Sequence, residues 1–333
     1  MSDEIVKKVN TDSNPTIFAF VLNLLDVNFD LPFEIISDCF FQKATLEQIT
    51  LIKKHLEPLM MYHYKEFPHD YREGVSINSP EASKYYIISF FKESDKELDR
   101  LNDLLTAATL LETKLNFSLF FKLKPLPFLY EPTAWTAICF PALFHTDFYN
   151  KTILKKSHSV STPLQKDDLQ NLHFIYDKMQ ELDSSFPDSP IIKAIDMFST
   201  LDNLPRNSSV RVLSLFAVIE ALITHKPNPN DSGDSITKQI KNKISLLSNR
   251  MNEKIDYSPF RNMSNCPREE TIWAKLYNYR SKVAHGDKLD FTEGDLSILK
   301  EADIANSFLE ITIKKLLRHS LDEPQLYIDL KQC

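Results

Sequence analysis

The chain has 333 residues, enough for a sizeable core, and two domains are the default for that length. It is 43% hydrophobic and 26% charged, ordinary for a soluble globular protein, and its formal net charge of -7 argues against a wholesale nucleic-acid coat. Only four glycines occur, Gly74, Gly233, Gly286 and Gly294, so glycine-rich phosphate loops are absent and a P-loop nucleotide enzyme is excluded.

So few glycines also favour a helix-rich fold, and 18 prolines do most of the punctuation. Cys39, Cys139, Cys266 and Cys333 are far apart, with no C-x-x-C pattern, so neither a zinc site nor a cofactor is expected. The acidic start Met1-Ser2-Asp3-Glu4 lacks a signal-peptide n-region. The longest apolar stretch, 17–25, is interrupted by Asn23 and is too short to span a membrane. Free thiols in a cytoplasmic protein are the simplest expectation.

In chain order, residues 17–24 and 29–36 are short apolar runs suited to strands. Thr45 and Gln48 form a capping-box pattern ahead of a helix reaching about residue 57. A strand is expected over 84–91 and a helix over 94–113, where Leu98, Leu101, Leu104, Leu105 and Leu111 recur at helical spacing. Residues 117–123 and 135–140 are again strand-like, and the serine-rich stretch 155–162 reads as a linker.

The second half reads as almost all helix: 167–182, 189–201, 209–224 and 236–247, the last capped by Asp234 or Ser235. A long irregular stretch ends near Pro267, a helix follows over 268–285, and Thr292 and Asp295 mark the start of another centred on 298–317. The expected fold class is α+β: an α/β-type domain over about 1–160, an all-α helical bundle over 165–320, and a C-terminal tail over 321–333. The loop at 248–267 is long for a bundle, and long loops are often functional.

Chemistry concentrates in Trp273-Ala274-Lys275-Leu276-Tyr277-Asn278-Tyr279-Arg280-Ser281-Lys282-Val283-Ala284-His285-Gly286. Arg280 is a permanent cation, His285 titrates near neutrality, and Gly286 stands where a helix would stop. Such a pair suits a phosphodiester. Trp273, Leu276, Tyr277, Arg280 and Ala284 share one helical side, whereas His285 is turned by about 140° from Arg280 unless the helix frays at Gly286. From Lys238 to Lys288 there are eleven Lys/Arg and five Asp/Glu, a local excess of six positive charges. The plainer alternative makes His285 a helix cap and pairs Arg280 with Glu220 of a neighbouring helix.

Elsewhere, His63, His69 and Asp70 fit a solvated loop better than any familiar metal geometry, and His225 reads as a helix cap. The aromatic pairs Phe40-Phe41, Tyr85-Tyr86, Phe90-Phe91 and Phe120-Phe121 read as core sooner than as base-stacking platforms.

Leu276-Tyr277 with Arg280-Ser281-Lys282-Val283-Ala284-His285-Gly286 resembles the signature of the Apea-like branch of the HEPN (higher eukaryotes and prokaryotes nucleotide-binding) family. Residues 216–222 and 236–247 are similar to earlier helices of that branch, and the resemblance covers roughly 205–318. It implies a dimerising helical bundle and a metal-independent endoribonuclease of the kind found in defence, antiviral or toxin systems. Arg280 and His285 would be catalytic, with Glu220, Tyr277 and Ser281 supporting and Lys275, Lys282 and Lys288 binding RNA. The expected partners are RNA and a second copy of the chain. The family's other members are non-catalytic RNA-binding or assembly modules, and Ser281 replaces the Asn, Asp or His that often follows the arginine in the nucleases.

Overall fold

The structure, a computed structural model, describes residues 15–21, 25–52, 85–91, 96–113, 115, 117–125, 133–139, 162–204, 208–228, 234–261 and 266–332. An N-terminal mixed β/α region is followed by a largely helical C-terminal bundle, and the chain divides into two compact units, 1–173 and 174–333.

The first unit is built on a six-stranded sheet of order β3-β4-β5-β1-β6-β7. Its strands are β1 (Ile17–Val21), β3 (Phe33–Ile36), β4 (Cys39–Lys43), β5 (Tyr86–Phe90), β6 (Phe117–Pro125) and β7 (Thr133–Cys139). Every neighbouring pair in this sheet is antiparallel. That pairing narrows the α/β-type expectation to a mixed β/α region, because the sheet of an α/β domain is mostly parallel. Among the described residues a parallel pair joins β2 (Leu25–Val27) to β8 (Thr162–Leu164) in a separate two-stranded sheet.

Central β1 is buried along its whole length, which explains its unbroken apolar run Ile-Phe-Ala-Phe-Val. Phe40, Phe41, Tyr85, Tyr86, Phe90 and Phe121 of the aromatic pairs are buried: Phe18 stacks on Phe121 and Phe41 on Tyr86, with centroids 4.8 and 5.2 Å apart. The capping box forms, Thr45 N–H donating to Gln48 Oε1 at 2.8 Å and Gln48 N–H to Thr45 Oγ1 at 3.3 Å. The helix it starts is described over 46–52. Helix α1 (Glu97–Thr109) buries Leu101 and Leu104 and sets the Arg100 guanidinium 4.9 Å from the Phe90 ring. Strand β4 was not foreseen: Asp38 turns the chain at φ 62° without a glycine to announce it. The expected linker lies outside the described residues apart from Thr162, which opens β8.

The division between the units falls inside α2 (Lys166–Ser185). Then come α3 (Pro190–Ser199), α4 (Val210–Ile223), α5 (Ile236–Arg250), α6 (Glu269–His285), α7 (Ala302–Asp322) and α8 (Pro324–Gln332). Local chemistry sets the ends. Ser189 caps α3 ahead of Pro190, and Ser235, not Asp234, caps α5 by accepting from Lys238 N–H. The expected helix over 298–317 is broken in two. Residues Gly294–Leu299 form a 3-10 turn, Lys300 takes φ 64°, and α7 starts afresh at Ala302.

Helix α4 is the hub. Arg211, Val212, Leu215, Phe216, Val218, Ile219, Leu222 and Ile223 are buried, and α3, α5, α6, α7 and α8 all pack on it. Arg211, 1% exposed, is satisfied by the carbonyls of Leu201 and Leu204 and by Glu310 at 3.1 Å. The C-terminal tail carries α8, whose Tyr327 is fully buried.

The long loop after α5 is packing rather than display. Its Ile255, Tyr257 and Phe260 are buried, Trp273 Nε1–H donates to Tyr257 Oη at 3.0 Å, and Phe308 touches Tyr257, Phe260 and Trp273. Replacing Phe308 by Ala empties the centre of this cluster. It is expected to destabilise the second unit by about 3–5 kcal/mol in urea unfolding, with wild-type-like circular dichroism in buffer.

Candidate functional site

Helix α6 starts with Glu269 and Glu270 in its first turn and ends with Lys282 and His285 in its last, each charge opposite in sign to the nearby end of the helix dipole. Gly286 adopts φ 72°, Asp287 N–H donates to the Lys282 carbonyl at 2.8 Å, and Gly286 N–H to the Val283 carbonyl at 3.2 Å. This is a Schellman cap, so α6 stays regular through His285 instead of fraying. Arg280 and His285 therefore leave the same helix about 140° apart.

The buried side of α6 is Ile272, Trp273, Leu276 and Tyr279. That corrects the expected stripe. Ala284 is exposed because the last turn runs past the packed region, while Tyr277 and Arg280 sit at its half-buried edge. Tyr277 is held edge-on to Phe216 of α4, with centroids 5.7 Å apart, and the Arg280 guanidinium lies 5.5 Å from the Tyr277 ring.

Arg280 faces Glu220 of α4, with Nη2 3.5 Å from Oε1, and the two side chains are 32% and 26% exposed. The pair is an ion pair without a hydrogen bond, since Glu220 Oε1 and Arg280 Nε are both buried atoms lacking a hydrogen-bond partner. A contact this long and this wet contributes only about 0–1 kcal/mol.

The structure thus brings together Arg280, Glu220 and Tyr277. Ser281 is half-buried beside them in sequence, and His285 and Lys288 are exposed. Lys275 is tied to Asp295 at 2.8 Å, and Lys282 is half-buried in the last turn. The six-charge excess of segment 238–288 is partly answered from outside the segment, by Glu220, by Asp295 and by Glu323, which pairs with Arg250 at 2.6 Å.

His225 is not the expected cap. Its Nδ1 lies 3.2 Å from the Lys243 ammonium, and its Nε2 lies 3.2 Å from both Asp234 Oδ2 and Gln239 Nε2. Lys243 is 8% exposed and also donates to the carbonyls of Ile223 and Leu330. Sequence reading passed over Lys243 and Lys331, whose partners are main-chain oxygens far away in the chain.

Among the described residues, no group of three or more His, Cys, Asp or Glu is placed to hold a metal ion, and no helix is long and apolar enough to cross a membrane. His63, His69 and Asp70 lie outside the described residues.

Two measurements check this geometry. Glu220→Gln should change unfolding stability by about 1 kcal/mol or less, because a long, part-exposed pair is lost. The Asp295 carboxyl is held below its ordinary range, first by the Lys275 hydrogen bond and then by the Lys275 charge. Its stabilising contribution is therefore present above about pH 4 and is lost as pH falls through the lowered folded value. Lys275→Met should flatten that part of the acid limb in melting temperature against pH. Compared with protein-family models, curated proteins and solved structures, the chain gives no match.

Proposed function

We propose that the helical unit is a metal-independent endoribonuclease module of the HEPN kind, acting through Arg280 and His285. The observation that carries this reading is Arg280 itself. It is held by Tyr277 at a part-exposed edge, and its charge is answered only loosely by Glu220. A phosphodiester supplies a negative charge for its exposed part.

In the proposed reaction the guanidinium holds the scissile phosphate and stabilises the charge that builds on its oxygens. The ribose 2′-oxygen attacks phosphorus, its proton passes to a neutral imidazole, and the bond to the 5′-oxygen breaks. That leaving oxygen takes up a proton from an imidazolium. The products are a 2′,3′-cyclic phosphate and a 5′-hydroxyl, and DNA is spared. Because α6 turns Arg280 and His285 about 140° apart, one copy does not aim both at one phosphate. A two-fold dimer through the helical unit would set the histidine of each copy against the arginine of the other. The free thiols of Cys39 and Cys266 suit a reducing, cytoplasmic setting.

The alternative, a non-catalytic RNA-binding or assembly module, is favoured by the Glu220–Arg280 pair and by Ser281 following the arginine. One experiment separates the two. Mixed cellular RNA is incubated with protein in EDTA, and the ends are analysed. Cleavage should persist in EDTA and leave cyclic phosphates. His285→Ala should lower the rate about 10²–10⁴-fold with RNA binding retained, and Arg280→Ala should impair both. Activity that is absent over a broad RNA panel, or unchanged in H285A, replaces the nuclease reading with the binding one. Light scattering at micromolar concentration should report a dimer; a clean monomer removes the composite site.

A further inference from the structure

Helix α4 carries only two charged side chains, Arg211 and Glu220. Arg211 is accounted for by its hydrogen bonds to the Leu201 and Leu204 carbonyls and to Glu310. Glu220 has no comparable anchor. Among the described residues its Oε1 is a buried oxygen that receives no hydrogen bond, and its one ion pair is the 3.5 Å contact with Arg280 Nη2. A part-exposed pair at that distance adds little stability, and a buried oxygen without a donor costs some. Stability therefore does not account for a carboxylate at this place on an apolar helix. The cation in front of it does.

Arg280 has the converse arrangement. Its guanidinium lies 5.5 Å from the Tyr277 ring, its Nη2 faces Glu220, and its side chain is 32% exposed. An RNA phosphate can meet only that exposed part. Two anions on one guanidinium lie within about 8 Å of each other, no further than the screening length at physiological salt. Carboxylate and phosphate carry the same sign, so either anion at Arg280 weakens the hold on the other.

We infer that the Glu220 carboxylate is a built-in competitor for the RNA phosphate at Arg280: it answers the cation while no RNA is bound and loosens the grip on RNA once it is. RNA as the competing anion rests on the proposed function; the competition itself does not need cleavage.

The test separates binding from cutting, on the full chain. A fluorescent single-stranded RNA with methylated 2′-oxygens, which cannot form the cyclic phosphate, is titrated by anisotropy with wild type, E220Q, E220M, R280Q and E220Q/R280Q. E220Q and E220M should each lower Kd about 3–10-fold, the gain should shrink as salt rises, and it should vanish in the R280Q background. A Kd unchanged or raised in both Glu220 variants, or an equal gain with and without Arg280, overturns the competition. On the same RNA with free 2′-hydroxyls, E220Q should lower KM by a similar factor with kcat within about twofold. Tighter binding in E220Q with no cleavage by any variant overturns the endoribonuclease reading while the competition stands. RNA bound by none of the variants overturns both.

Discussion

Helix α4 must be covered on nearly every side, and the helical unit is the set of elements that covers it. Eight of its fourteen residues are buried, so five helices are drawn onto one apolar rod. That requirement leaves few places where α4 can carry a charge. Arg211 solves the problem at the N-terminal end by full satisfaction against two carbonyls and a carboxylate. Glu220 solves it near the other end by staying partly wet. The contrast is physical. Arg211 is bound by two carbonyls and a carboxylate, whereas Arg280 meets its carboxylate only at 3.5 Å.

The neighbours of Glu220 follow from the same constraint. Helix α6 packs on α4, and Tyr277 and Arg280 reach Phe216 and Glu220 of α4 from the half-buried edge of the α6 face. Tyr277 then serves two partners, wedged against Phe216 and offering its ring to the guanidinium. Helix α8 closes the end of α4 with a side-chain bond, Lys331 Nζ donating to the Glu220 carbonyl. The site is therefore an edge of the core rather than a cavity, and its residues are positioned by the packing of α4.

Much of this was legible in the sequence where the cause is local. Ser189 before Pro190, the Thr45–Gln48 box and Gly286 all act within one helical turn, and each ends or begins an element as read. The pairing of Arg280 with Glu220 was legible because a carboxylate on an apolar helix needs a cation. What escaped has non-local or unmarked causes. The Asp38 turn and the Lys300 break use left-handed backbone at residues other than glycine. The antiparallel order of the sheet depends on pairings between distant strands, Ile17 with Phe90 and with Lys122. Lys331 reaches a carbonyl 111 positions away, and such a contact leaves no side-chain pattern to read. The long loop before α6 was read only as long for a bundle, and its buried Tyr257 and Phe260 were not picked out as core.

The cap at Gly286 has a geometric corollary. Between Arg280 and the cap the helix is continuous, so the angle separating arginine and histidine is set by residue count alone. Each residue added or removed between them would swing the imidazole by about 100° and slide it about 1.5 Å along the axis. The glycine then fixes where that count stops, because its left-handed turn leads the chain away immediately after the imidazole. The segment behaves as a protractor whose scale is the number of peptide bonds. An insertion of one residue would alter the alignment of the two groups more than most side-chain replacements in the same stretch.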